Sequence, residues 1–113
     1  MGQEGVMDYR YMRIIVMFDL PTGTKEERRK ATQFRKFLLD DGYSMLQYSV
    51  YARLCPNRDN ANKHLARLEY KKPVTGSVRA IMVTENQFAS MQVIVGTKTL
   101  QERKVRVEQL SFF

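Results

Sequence analysis

Cysteine and histidine are almost missing from this chain, which holds one of each, Cys55 and His64, among 113 residues. A single thiol excludes an intrachain disulfide and points to a reducing compartment. One cysteine and one histidine also exclude a zinc site of the Cys/His type. Glycine is sparse and scattered: Gly23 and Gly42 stand alone, so neither a phosphate-cradling loop nor a dinucleotide fingerprint can form. Long apolar runs are lacking too. The longest, Ile14–Phe18, falls far below the ~20 residues a membrane span requires. The polar opening Met1-Gly2-Gln3-Glu4-Gly5 carries no signal-peptide pattern. Residues 1–9 are therefore expected to be a loose leader with Met7 as an alternative start, and the protein is expected to be cytoplasmic. Carboxylates are outnumbered, 12 Asp+Glu against 19 Lys+Arg, for a net charge of +7. Such an excess favours a polyanionic partner, nucleic acid or an acidic membrane surface.

What is present is first a strand. Residues 11–19 are β-branched and apolar, and period-2 alternation gives them two faces. Met12, Ile14, Val16 and Phe18 form one that should meet helices. Tyr11, Arg13, Ile15, Met17 and Asp19 form the other, too apolar to lie open to water. Pro21-Thr22-Gly23 is a turn, and Thr24 to Glu27 fits a capping box. The helix that follows is expected to end at Gly42, with Ala31, Phe34, Phe37 and Leu38 inward. Lys25, Arg28, Arg29 and Lys36 lie on its opposite side, a row of one sign that solvation alone does not require.

Alternation over 44–54 predicts a single second strand, with Tyr51 on the outer face. Asn57 or Asn60 caps a second helix over roughly 58–71, whose basic residues include Arg58, Lys63 and Arg67. Residues 77–84 make a third strand, 85–91 a helical turn, 92–95 a fourth strand and 104–110 a weak fifth. This order predicts an α+β, ferredoxin-like split β-α-β sandwich: a four-stranded antiparallel sheet with two helices on one face, spanning 10–96. The trailing segment 97–113, with Val105 and Val107, has no partner strand in its own chain. Its exchange into a homodimer, packed sheet to sheet with Tyr51 at the interface, would satisfy it.

Asp19, at the end of the most apolar strand and followed at once by the basic helix, is the candidate for chemistry. An Asx-type turn would also place an aspartate there. Across a two-fold axis, however, two such carboxylates would meet and recruit a hard divalent cation, Mg²⁺ or Mn²⁺, against a phosphodiester. His64 is expected to be a surface helix residue, and Cys55 an inert one.

The segments Met17-Phe18-Asp19-Leu20-Pro21, Gln47-Tyr48-Ser49-Val50-Tyr51 and Val83-Thr84-Glu85-Asn86-Gln87-Phe88 with Ile94-Val95-Gly96 resemble the CRISPR-associated Cas-two proteins. Cys55-Pro56-Asn57-Arg58 looks like the subgroup that accompanies single-effector systems. The resemblance implies a ferredoxin-like homodimer with an exchanged C-terminal strand and paired metal-binding aspartates. It implies a scaffold that holds duplex DNA and bridges the larger Cas-one integrase in spacer acquisition, or alternatively a metal-dependent endonuclease on RNA or double-stranded DNA. Asp19 matches the metal-binding aspartate, Arg28 and Arg29 the early-helix phosphate contacts, and Tyr51 the aromatic that closes the Gln-Tyr-Ser-Val motif. One position departs: some nuclease-active relatives carry arginine two residues before the Gln, where this chain has Met45.

Overall fold

The computed structural model describes residues 10–97. Its elements run β1 (Met12–Asp19), α1 (Lys25–Asp40), β2 (Ser44–Gln47), β3 (Val50–Cys55), α2 (Arg58–Tyr70), β4 (Ser77–Thr84) and α3 (Glu85–Ala89). The strands form one antiparallel sheet in the order β2-β3-β1-β4. This is the expected ferredoxin-like α+β fold. The trailing strand with Val105 and Val107, and its exchange, lie outside the described residues, as does the leader.

Local signals set the helix ends. Thr24 caps α1, accepting from the Glu27 N–H at 3.1 Å while Glu27 Oε1 accepts from the Thr24 N–H at 2.9 Å. Asn57 caps α2 by accepting from the Asn60 N–H at 2.8 Å, and Thr84 with Gln87 repeats the capping box on α3. These bonds satisfy donors that no helical turn can reach. Met12, Ile14, Val16 and Phe18 are buried against Phe34 and Leu38 of α1 and Ala61 and Leu68 of α2. The Phe18 ring meets Phe34 edge-on at 5.2 Å.

Two expectations fail, and each failure explains the other. Residues 44–54 are not one strand. They fold back at Tyr48–Ser49 into the β2–β3 hairpin, with Ser49 at φ 65° and a register shift between Met45 and Gln47. The turn lacks the usual Asn-Gly or Gly signature, and a non-glycine residue in the left-handed region costs roughly 1–2 kcal/mol. Tertiary contact holds it: the Phe18 N–H donates to the Ser49 carbonyl at 3.1 Å. The hairpin supplies the sheet's fourth strand, so 92–95 is not needed as one; residues 91–97 form no strand or helix, and Ile94 and Val95 are exposed.

The hairpin also inverts a face. Tyr51 pairs with Val16, is 4% exposed and packs on Phe18 at 5.6 Å. It belongs to the core beneath the helices, and its expected place on the outer face is corrected.

The outer face is half covered. Arg13, 2% exposed, lies over the Phe88 ring at 4.4 Å and pairs with Glu85 at 2.6 Å, which pins α3 across one end. At the other end Met17 and Ile81 remain 38% and 51% exposed.

Behind α1, burial creates an alkaline liability. The Tyr43 hydroxyl is buried and bonds to no described residue. Desolvation, with the Asp41 charge second, pushes its pKa far above the ordinary value of 10.0. The neutral phenol is thus the form the fold accepts. Its contribution is complete below the unfolded-chain value and is lost as the pH climbs from there towards the raised folded value. Tyr43→Phe removes an unpaired hydroxyl, so it is expected to leave stability at pH 7 unchanged or raise it by up to ~1 kcal/mol. It should also flatten the loss of stability above about pH 10. Urea melts at pH 7 and pH 10.5 check both, and a variant that melts earlier at pH 7 would contradict the expectation.

Candidate nucleic-acid interface and strand-end carboxylate

Asp19 closes β1 opposite Ser77 of β4. Its side chain is exposed and has no hydrogen bond or ion pair among the described residues. The approach on the β4 side is tight: a Cβ on Gly76, at φ 97°, would stand 2.8 Å from the Asp19 carbonyl oxygen. Only glycine allows both that backbone angle and that proximity. On the other side, the Ser49 carbonyl is bonded to the residue before Asp19. The carboxylate therefore projects from a strand end fixed by both neighbouring strands.

The basic row begins six residues later, at Lys25. Lys25, Arg28 and Arg29 line a shallow groove along the start of α1 with Glu26, Thr32 and Gln33, and all of them are exposed. Arg28 Nη1 donates to the Thr22 and Gly23 carbonyls at 3.1 and 3.3 Å, clasping the loop that joins Asp19 to the helix. Arg29 is bonded to Glu26, which holds the Glu26 carboxyl below its usual range and raises the Arg29 guanidinium. Lys36 pairs with Asp40 at 2.8 Å, and this bond raises the lysine pKa. Pairs this exposed contribute little to stability and exchange readily for another anion.

The α2 residues are placed less uniformly. Lys63 is exposed. Arg58 Nη1 reaches the Met82 sulfur at 3.5 Å. Arg67 has a partner the sequence did not reveal: its Nε donates to Asp41 Oδ1 at 2.7 Å, while His64 Nδ1 lies 2.9 Å from Asp41 Oδ2. The Asp41 side chain is 5% exposed and that of His64 13%, so His64 is not the surface residue expected of it. Arg53 Nε donates to the Asp41 carbonyl at 2.6 Å. These groups tie the C-terminal end of α1 to α2 and β3, and the cations offset a carboxylate placed at the negative end of a helix. Cys55 is fully buried, and desolvation raises its thiol pKa, which agrees with an inert residue.

Among the described residues, no group of three or more His, Cys, Asp or Glu comes together. A single carboxylate such as Asp19 would suit only a largely hydrated ion of the Mg²⁺ kind, which keeps several waters and binds through one or two carboxylates. Among those residues, too, no helix is long and apolar enough to cross a membrane.

A ferredoxin-like sheet that ends in an exposed carboxylate, next to a helix with an exposed basic row, defines a small α+β protein. The comparisons narrow the class. Residues 12–91 match the family model described as CRISPR associated protein Cas2. The chain is 51% identical over 102 residues to the CRISPR-associated endoribonuclease Cas2 of Acidovorax ebreus, covering 90% of this chain and all of that one. It is 43% identical over 105 residues to the protein of the same name from Flavobacterium psychrophilum, covering 93% and 90%. The similarity to the Campylobacter jejuni protein of that name is 35% over 108 residues, covering 96% and 76%. The chain belongs to the Cas2 family of CRISPR-associated proteins.

Proposed function

We propose that this chain acts as a dimeric scaffold that holds duplex DNA and bridges the integrase subunits in CRISPR spacer acquisition. The observation that carries the reading is the exposed row Lys25, Arg28 and Arg29, set directly behind the Asp19 strand end. A row of cations on one rigid helix neutralises successive phosphates without reading bases, so binding is sequence-tolerant and set by counterion release. Dimerisation across the open end of the outer sheet face would bring two such helices to one duplex and cover Met17 and Ile81. The expected salt dependence is a log-log slope of about −0.9 per phosphate contact. A fluorescence-anisotropy titration of labelled duplex DNA over a range of salt concentrations tests this, and a flat salt dependence would overturn it.

Nuclease action is the second reading, favoured by the exposed Asp19 carboxylate, which has no ion pair among the described residues, and by the relatives' name. In the dimer, the two Asp19 carboxylates would hold a Mg²⁺ or Mn²⁺ ion. When bound, such an ion supplies Lewis-acid polarisation of a phosphodiester. The chain's own part is to fix the carboxylate through the Gly76 and Ser49 contacts and to hold the polyanion on α1. Asp19→Ala is expected to abolish any cleavage of RNA or duplex DNA in Mg²⁺ or Mn²⁺ while leaving duplex affinity within about twofold, since it removes a negative charge rather than a phosphate contact. Cleavage that survives in Asp19→Ala would exclude Asp19 as the metal-holding residue.

A further inference from the structure

A second groove runs along α1, on a flank adjoining the row proposed for DNA, and its chemistry is different. Its floor is apolar: Phe34 and Phe37 of α1 face Pro73 and Val74 of the segment that leaves α2, and Val74 is 87% exposed. Lysines stand on both rims, Lys30 and Lys36 on the helix and Lys71 and Lys72 opposite. The groove encloses about 540 Å³, within the range of roughly 300–1,000 Å³ typical of ligand pockets.

We infer that this groove binds a short acidic segment of a partner protein, anchored by an apolar side chain between Phe37 and Val74. Charge and surface chemistry select this occupant. Two of the rim lysines are already answered, Lys36 by Asp40 at 2.8 Å and Lys72 by Glu69. Lys30 has no ion pair among the described residues, and Lys71 has only the Tyr70 ring, at 5.8 Å. These two can take a pair of carboxylates. An apolar floor adds nothing to phosphate binding but rewards a leucine or phenylalanine side chain. The chain's own residues 98–113 suit the rim poorly, since Lys98, Arg103, Lys104 and Arg106 outnumber Glu102 and Glu108. The site uses neither Asp19 nor Lys25, Arg28 or Arg29, so it stands apart from the proposed function.

Panning a phage-displayed library of random peptides, each about twelve residues long, against the full-length protein tests the inference. Enriched sequences are expected to place Asp or Glu beside Leu or Phe. In anisotropy titrations with a fluorescein-labelled selected peptide, Val74→Asp should weaken binding at least about tenfold, as should Lys30→Glu combined with Lys71→Glu. Val74 and the lysines are exposed, so the variants should keep the wild-type melting curve, and Val74→Asp should leave duplex DNA affinity unchanged. Four results would overturn the inference. The first is enrichment without acidic residues. The second is a selected peptide that binds Val74→Asp as well as wild type. The third is an equal loss of duplex affinity in that variant, which would make the groove part of a nucleic-acid path. The fourth is peptide binding that appears only after residues 1–9 are deleted, which would make the leader the occupant.

Discussion

Replacing both Arg28 and Arg29 by glutamate is expected to weaken duplex DNA binding on the order of 100-fold at moderate salt and to make its salt dependence shallower. The two guanidinia are exposed, lie on one groove and sit on a helix closed by a capping box. Reversal replaces two attractive phosphate contacts per protomer with two repulsive ones. The fold should tolerate it. Arg28 gives up bonds to the Thr22 and Gly23 carbonyls, and Arg29 gives up an exposed pair with Glu26, but acidic residues early in a helix are favoured by its dipole. Anisotropy with a labelled duplex, beside a thermal melt, separates the two effects. Wild-type affinity in a folded double variant would remove α1 from the binding surface.

Ile81→Asp should convert a dimer to a monomer. Ile81 pairs with Ile15 on the outer face and is 51% exposed in the protomer, so the substitution costs the isolated fold little. In a sheet-to-sheet dimer it would bury an unpaired carboxylate from each copy near the two-fold axis. An uncompensated buried charge costs about 3–5 kcal/mol. At 1.4 kcal/mol per tenfold, even one of the two carboxylates raises the dimer dissociation constant by roughly 1000-fold. Sedimentation velocity across a concentration series gives the answer. A variant that sediments as wild type would place the dimer contact elsewhere, and wild type that is monomeric throughout would remove the dimer altogether. The Arg13–Glu85–Phe88 end is already sealed by α3, so a charge introduced there would test the protomer rather than the interface.

The β2–β3 hairpin shows where legibility in the sequence stopped. Residues 44–54 alternate cleanly and contain no glycine or proline, so nothing local announces a reversal between Gln47 and Val50. The turn exists because Phe18 and the sheet edge hold Ser49 in a conformation it would not choose alone. One fold back exchanges the faces, and Tyr51 passes from a presumed interface into the core. Asp41, His64 and Arg67 failed to connect for a related reason. Their contact spans 23 and 26 positions, and helix periodicity cannot say which outward-facing residue on α2 meets a carboxylate at the end of α1.

By itself, the sequence determined the elements whose cause is local: β1 and its two faces, the Thr24 capping box, the inward stripe and the basic row of α1, and the place of Asp19 at a strand end. Short-range sterics, capping bonds and side-chain periodicity act within a few residues and need no partner. Only the tertiary structure decided which strand is the fourth, which face Tyr51 occupies, what holds Arg13 and Asp41 in the interior, and that Phe37 and Val74 share a groove. Those outcomes depend on hydrogen bonds, charges and packing between residues far apart in the chain, which meet only after the sheet has closed.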